Sequence, residues 1–153
     1  MNVQENIKID DKDRAVIQEL ITNSRQTVGR ISKKTGLPLT TVHNRIKKLE
    51  KAGIILNYTV NLNYKKLGRP IMAFIGISID YRIEGKKIKQ DEVAKQIKKL
   101  SGVRDVTILA GGMDIICSIL AKDLDDLNEI VTVKLRNIDG VDKTQTMIVL
   151  QQI

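Results

Sequence analysis

Residues 25–56, RQTVGRISKKTGLPLTTVHNRIKKLEKAGIIL, constrain this chain more tightly than any other stretch. Two runs with apolar residues at helical spacing are separated by Gly36-Leu37-Pro38. Glycine just past a helix end, with proline soon after, stops one helix and lets the next set off in a new direction. In the second run Leu39, Val42, Ile46 and Leu49 recur at i, i+3, i+7 and i+10, a single apolar stripe. At about 100° per residue, Thr40, Asn44, Lys47 and Lys51 project opposite the stripe. Thr41 and Lys48 flank them, and His43 and Arg45 lie at the sides. A helix that buries one stripe and presents polar and basic residues on the other side can enter the major groove of DNA.

Charge points the same way. The 153-residue chain holds 26 Lys/Arg against 18 Asp/Glu, a net charge of +8. From residue 25 to residue 51, Arg25, Arg30, Lys33, Lys34, Arg45, Lys47, Lys48 and Lys51 are opposed by Glu50 alone, a local +7. A concentration of this kind is the electrostatic footprint of a polyanion site. Residues in the N-terminal half of such a helix reach base edges, which makes Thr40, Thr41, His43, Asn44 and Arg45 the candidates for base readout. Asn pairs bidentately with adenine, Arg with guanine, and a Thr methyl packs on a thymine methyl. Lys47, Lys48 and Lys51 fall near phosphates. So do Arg25 and Arg30, and Thr27, which opens the preceding helix where amides favour an anion.

Around this segment the pattern predicts a first helix over 11–22, capped by Asp10 or Asp11, with Val16, Ile17, Leu20 and Ile21 inward. The second helix spans 27–35, with Val28 and Ile31 inward and Gly36 after it. The third runs from Leu39 to just before Gly53. The run 54–64, IILNYTVNLNY, alternates in part and reads as a short hairpin or strand pair. Three helices and a β-ribbon make a winged helix-turn-helix over residues 1–64. Residues 65–70 contain Gly68 and Pro70 and form a linker.

Beyond the linker the reading is β-α-β-β-α-β: strands at 71–79, 103–109, 114–120 and 144–150, helices at 91–100 and 124–135. Leu100-Ser-Gly-Val and Ile138-Asp-Gly-Val follow the two helices as a weak internal repeat, as expected of two half-units in a ferredoxin-like fold over 71–153. The fold class is thus α+β. Ile71–Ile79, IMAFIGISI, is apolar on both strand faces. With both helices on one side of the sheet, the other side is left apolar and calls for a partner, so sheet-to-sheet dimerisation is expected.

Several function classes drop out. The single Cys117 sits in an apolar run and reads as a buried small hydrophobe; a lone free thiol suits a reducing cytosol. No run is long and apolar enough to span a bilayer and no signal peptide opens the chain, so a cytoplasmic protein without membrane contact is expected. With one His and one Cys in separate domains, no nucleophile–base set can be assembled, and no phosphate-binding glycine fingerprint is present. An enzyme is not expected, nor a cofactor or a metal. Asp123, Asp125, Asp126 and Glu129 cluster at a helix start, where the dipole explains them. Two other readings stay open: an architectural DNA-binding protein with little sequence preference and no effector, and a small-molecule sensor acting on an enzyme partner.

The residues also carry a resemblance. Ile9-Asp-Asp-Lys-Asp-Arg-Ala-Val-Ile-Gln-Glu-Leu resembles the opening motif of the Lrp/AsnC, or feast/famine, regulators of bacteria and archaea. Residues 36–55, GLPLTTVHNRIKKLEKAGII, resemble that family's recognition-helix signature, and the likeness spans essentially the whole chain. It implies a C-terminal effector-binding domain of the type called RAM, and dimers that assemble further, commonly to octamers. It also implies an amino acid or related metabolite as effector, bound between subunits near the loop joining the middle strands. That loop carries Gly-x-aromatic-Asp in the family. Here Gly111-Gly112-Met113-Asp114 stands in its place, with Met113 for the aromatic. The same four residues also suit a tight turn with Asp114 as its cap. A dimer of such proteins would meet a palindromic operator with half-sites one helical turn apart.

Overall fold

The structure is a computed structural model in which residues 8–83 and 85–152 are described; residues 1–7 and 153, at the ends of the two expected domains, and residue 84 lie outside them. The chain divides into two compact units between Asn61 and Leu62. Residues 62–64, expected in the first domain, and the expected linker 65–70 side with the second unit: Arg104 lies over the Tyr64 ring at 5.4 Å from its centroid, and Arg69 Nη1 donates to the Leu120 carbonyl at 2.8 Å.

In the first unit α1 spans Asp11–Thr22, α2 Val28–Thr35 and α3 Leu39–Lys51. The first two starts have a side-chain cap, whereas α3 follows Pro38 without one. The Asp10 carboxylate accepts from the Asp13 amide at 2.7 Å, and the Asp13 carboxylate accepts from the Asp10 amide at 3.2 Å, a reciprocal capping box. Thr27 caps α2 by accepting from the Arg30 amide at 3.3 Å, and Gly36 ends it in the left-handed conformation. Val16, Ile31 and Val42, one from each helix, form the enclosed centre, with Leu20, Val28, Leu37 and Ile46 packed around them.

Two inward assignments do not hold. Ile21 is 72% exposed and Leu39 is 56% exposed. Both lie at helix ends, where periodicity continues but the neighbouring helices no longer reach. The expected β-ribbon is also absent, since 54–64 contains no strand. IILNYTVNLNY has β-type residues but no glycine or proline to turn the chain back, so it runs on without an intrachain partner strand. Leu56 and Val60 are left exposed along it.

The second unit is built on a four-stranded antiparallel sheet of order β4-β5-β1-β6, with β1 at Ile71–Ile79, β4 at Val103–Ile108, β5 at Ile115–Ala121 and β6 at Val141–Ile148. A short ribbon of β2, Arg82–Ile83, and β3, Lys86–Lys87, precedes α4 at Gln90–Lys98. The expected 124–135 helix is α-helical as α5 over Leu124–Glu129 and continues as a π-helical segment over Ile130–Leu135. Alternate residues of the central strands, Ala73, Ile75 and Ile77 with Ile115, Cys117 and Ile119, face the helices and pack on Val93, Ile97, Leu127, Ile130 and Leu135. The two halves of the repeat end alike, with Gly102 at φ 92 and Gly140 at φ 99. Strand β6 begins three residues earlier than expected. It is an edge strand whose Asp142 and Lys143 are exposed, so nothing in their polarity marks them as sheet.

Candidate DNA interface and ligand-sensing loop

The third helix is fixed by packing through Val42 and Leu49, both fully buried. The opposite arc, Thr40, His43, Asn44, Lys47 and Lys51, is exposed. This is the face expected to meet DNA. Arg25, Thr27 and Arg30 are exposed at and before the start of α2. Thr27 there serves as the N-cap, so its hydroxyl already accepts one amide while the remaining free amides of the first turn stay available to an anion.

Arg45, Lys48 and Thr41 are placed differently. They lie on the partly buried shoulder of α3. Arg45 Nη1 donates to Asp10 Oδ1 at 2.7 Å and to Asp13 Oδ1 at 2.6 Å, and Lys48 Nζ donates to Asp13 Oδ2 at 2.9 Å. Asp13 has no exposed surface. Burial pushes its carboxyl pKa up, but the hydrogen bonds from Lys48, Arg45 and the Asp10 amide prevail together and hold it at about 2. The same contacts raise the Arg45 pKa, mainly through Asp13 and then Asp10. A guanidinium committed to a buried carboxylate is not free to fork onto a guanine. The structure therefore places Arg45 at the joint between α3 and α1, with Lys48, 40% exposed, beside it. The residue that sequence reasoning missed is Asp13. It stood there only within the opening motif, near the start of the expected first helix, and its role toward α3 needs partners 32 and 35 residues away.

In the second unit the four loop residues separate. The Asp114 carboxylate accepts from the Ile79 amide at 2.8 Å and from the Tyr81 hydroxyl at 2.5 Å. The Asp114 amide donates to the Ile77 carbonyl at 2.9 Å, and its own carbonyl accepts from Leu109 at 2.8 Å and from Gln90 Nε2 at 2.7 Å. Asp114 thus ties the end of β1 to the β4–β5 turn, and its hydrogen bond raises the Tyr81 phenol. Gly112 and Met113 instead line a groove of about 300 Å³ with Gly76, Ser78, Lys143, Thr144 and Gln145; Gly111 stands on the exposed turn beside it. Met113 lies directly over Gly76: a Cβ at that position would stand 2.1 Å from the Met113 sulfur. The groove offers an apolar floor, one cation, and hydroxyl and amide groups, which suits a small polar molecule. Lys143 makes no ion pair among the described residues.

Comparison with known proteins agrees with this division. Residues 9–55 match a winged helix-turn-helix DNA-binding family, and residues 72–153 match the Lrp/AsnC ligand binding domain. An HTH-type transcriptional regulator of Pyrococcus furiosus is 42% identical over 140 residues, 92% of this chain and 91% of the relative. The HTH-type transcriptional regulator LrpA of Pyrococcus horikoshii is 36% identical over 145 residues, 95% of this chain and 99% of LrpA. Among solved structures, a transcriptional regulator of Neisseria meningitidis in complex with L-Met superposes with a TM-score of 0.85 at 26% identity, covering 95% of this chain and 92% of that one. The chain belongs to the Lrp/AsnC family of transcriptional regulators, with a helix-turn-helix DNA-binding unit followed by an Lrp/AsnC ligand-binding domain.

Proposed function

We propose that this protein is a sequence-specific double-stranded DNA-binding transcription regulator whose second unit senses an amino acid or related metabolite. The observation that carries the reading is the exposed arc of α3. It combines hydrogen-bonding side chains at Thr40, His43 and Asn44 with the cations Lys47 and Lys51, while its opposite face is locked into the helical core. Polar groups toward the helix start read bases and cations further along hold phosphates. Arg25, Thr27 and Arg30 add phosphate contacts from the start of α2.

The regulator works as a dimer joined through the open faces of its sheets, and dimers assemble to octamers. That face carries Met72, Phe74 and Met147, with Phe74 opposite Met147 in register, so a second copy would cover apolar side chains that one copy leaves open to water. Two recognition helices then address a palindromic site with half-sites about 10 base pairs apart centre to centre. Gly112 and Met113 contact the effector, Gly111 shapes the turn, and Asp114 holds the loop in place. The L-Met complex of the Neisseria regulator supports an amino acid in this role. The protein acts in the cytoplasm and by binding, without catalysis.

The test is selection of bound sequences from random duplexes by the full-length protein, repeated with a panel of L-amino acids that includes L-Met. A single palindromic motif, with affinity changed by one or a few amino acids, is the expected outcome. Recovery of unenriched DNA under every condition refutes it.

A further inference from the structure

We infer that Leu39 is a base-reading residue whose side chain packs on the C5-methyl of a thymine when α3 enters the major groove. The inference rests on the sequence-specific reading above. Of the apolar stripe that runs from Leu39 to Leu49, Val42 and Leu49 are enclosed, whereas Leu39 is more than half exposed. An isolated exposed leucine is ordinary on a protein surface, and position is what gives this one a role. Leu39 is the first residue of α3, directly after the N-cap Pro38. At about 100° per residue it sits about 40° from His43 and about 80° from Lys47, on the border of the exposed arc. In the other direction it reaches toward the start of α2. Its Cδ1 lies 4.0 Å from the place a Cβ on Gly29 would occupy, and the Thr27 hydroxyl is as near to that same point.

Leu39 therefore stands between the two parts that address the duplex: the amide end of α2, which favours a phosphate, and the outward face of α3. A branched hydrocarbon in that position has one apolar partner among the major-groove base edges, the thymine methyl. The side chain offers no donor or acceptor, so it distinguishes thymine from cytosine, and thymine from uracil, by the methyl group alone.

The experiment uses the full-length protein and a site selected from random DNA, with each thymine replaced in turn by deoxyuridine. One thymine in a half-site is expected to lose about fourfold in affinity on replacement, the worth of one buried methyl group. At that position 5-methylcytosine is expected to bind about as much better than cytosine. Leu39→Ala should abolish both discriminations at that position, while Thr40→Ala, whatever it does to overall affinity, should leave the discrimination at that thymine intact. Alanine is a good helix former and the position is exposed, so an unchanged unfolding temperature is expected to accompany the loss. Uracil sensitivity that survives Leu39→Ala overturns the assignment, as does sensitivity lost with Thr40→Ala instead. Failure to select any preferred sequence overturns the sequence-specific reading itself and Leu39 with it.

Discussion

Replacing Asp13 by alanine should destabilise the first unit more than any comparable change on its surface. The carboxylate has no exposure and receives three charge-assisted hydrogen bonds from Arg45, Lys48 and the Asp10 amide, at 2.6, 2.9 and 3.2 Å. Its pKa of about 2 lies below the ordinary 3.8, which by linkage is about 2 kcal/mol of stability. The carboxyl is depressed in the folded state, so this contribution is complete above pH 3.8 and is lost as pH falls toward 2. Truncation does more than protonation, because it leaves the Arg45 guanidinium, only 19% exposed, without its main partner. Breaking a buried pair in this way costs about 3–5 kcal/mol. A unit of this size has roughly 3–9 kcal/mol in all, from about 0.05–0.15 kcal/mol per residue. Thermal unfolding of the full chain should therefore show the first unit's transition lowered by more than about 12 °C, or lost, with the second unit's transition unmoved. Asp13→Leu combined with Arg45→Met and Lys48→Met should recover much of the loss, since an apolar replacement of the whole set strands no charge. A transition within about 1 kcal/mol of the parent in Asp13→Ala, or a triple variant no better than the single one, refutes the reasoning.

Three further outcomes follow from the same geometry. Arg45→Met should lower the first transition without altering the selected sequence, whereas Asn44→Ala should relax base preference at one position by about 1–3 kcal/mol with the fold intact; competition binding against single-base variants separates the two. Lys47→Ala should weaken binding to all sequences about equally and reduce the slope of log affinity against log salt by about 1, read from titrations at several salt concentrations. Gly76→Ala should displace Met113 from the sheet, because the added methyl occupies its place. The far end of a flexible side chain can yield, so stability should change by less than about 1 kcal/mol while the thermal shift produced by the effector is reduced.

The boundaries of the three N-terminal helices were legible because each is set by neighbours in sequence: Asp10 with Asp13, Thr27 with the Arg30 amide, Gly36 in its left-handed turn. Strand β1 was legible because nine consecutive residues suit burial in a sheet. What failed to show depended on distance. Arg45 looked like a free guanidinium because its partners lie more than thirty residues upstream. Leu39 continued a periodic stripe that the packing does not continue. The run 54–64 had strand composition, but strand formation needs a second strand, and no turn supplies one. The π-helical segment has no local signature at all, since Ile130–Leu135 keeps the apolar spacing of an ordinary helix. In the β4–β5 loop the four-residue motif was visible, but the split between Asp114, turned onto the backbone of β1, and Met113, turned over Gly76, is a matter of folded geometry.

On the proposed function, the exposed arc of α3 reads sequence and does not merely hold DNA by charge. This is tested most directly by the ratio of affinities for the selected site and for a scrambled duplex of equal length, at one physiological salt concentration. A sequence reader gives a ratio of about 10³ or more, falling sharply in Asn44→Ala. A ratio near one, unchanged by that substitution, contradicts the account and leaves a DNA-coating protein in its place.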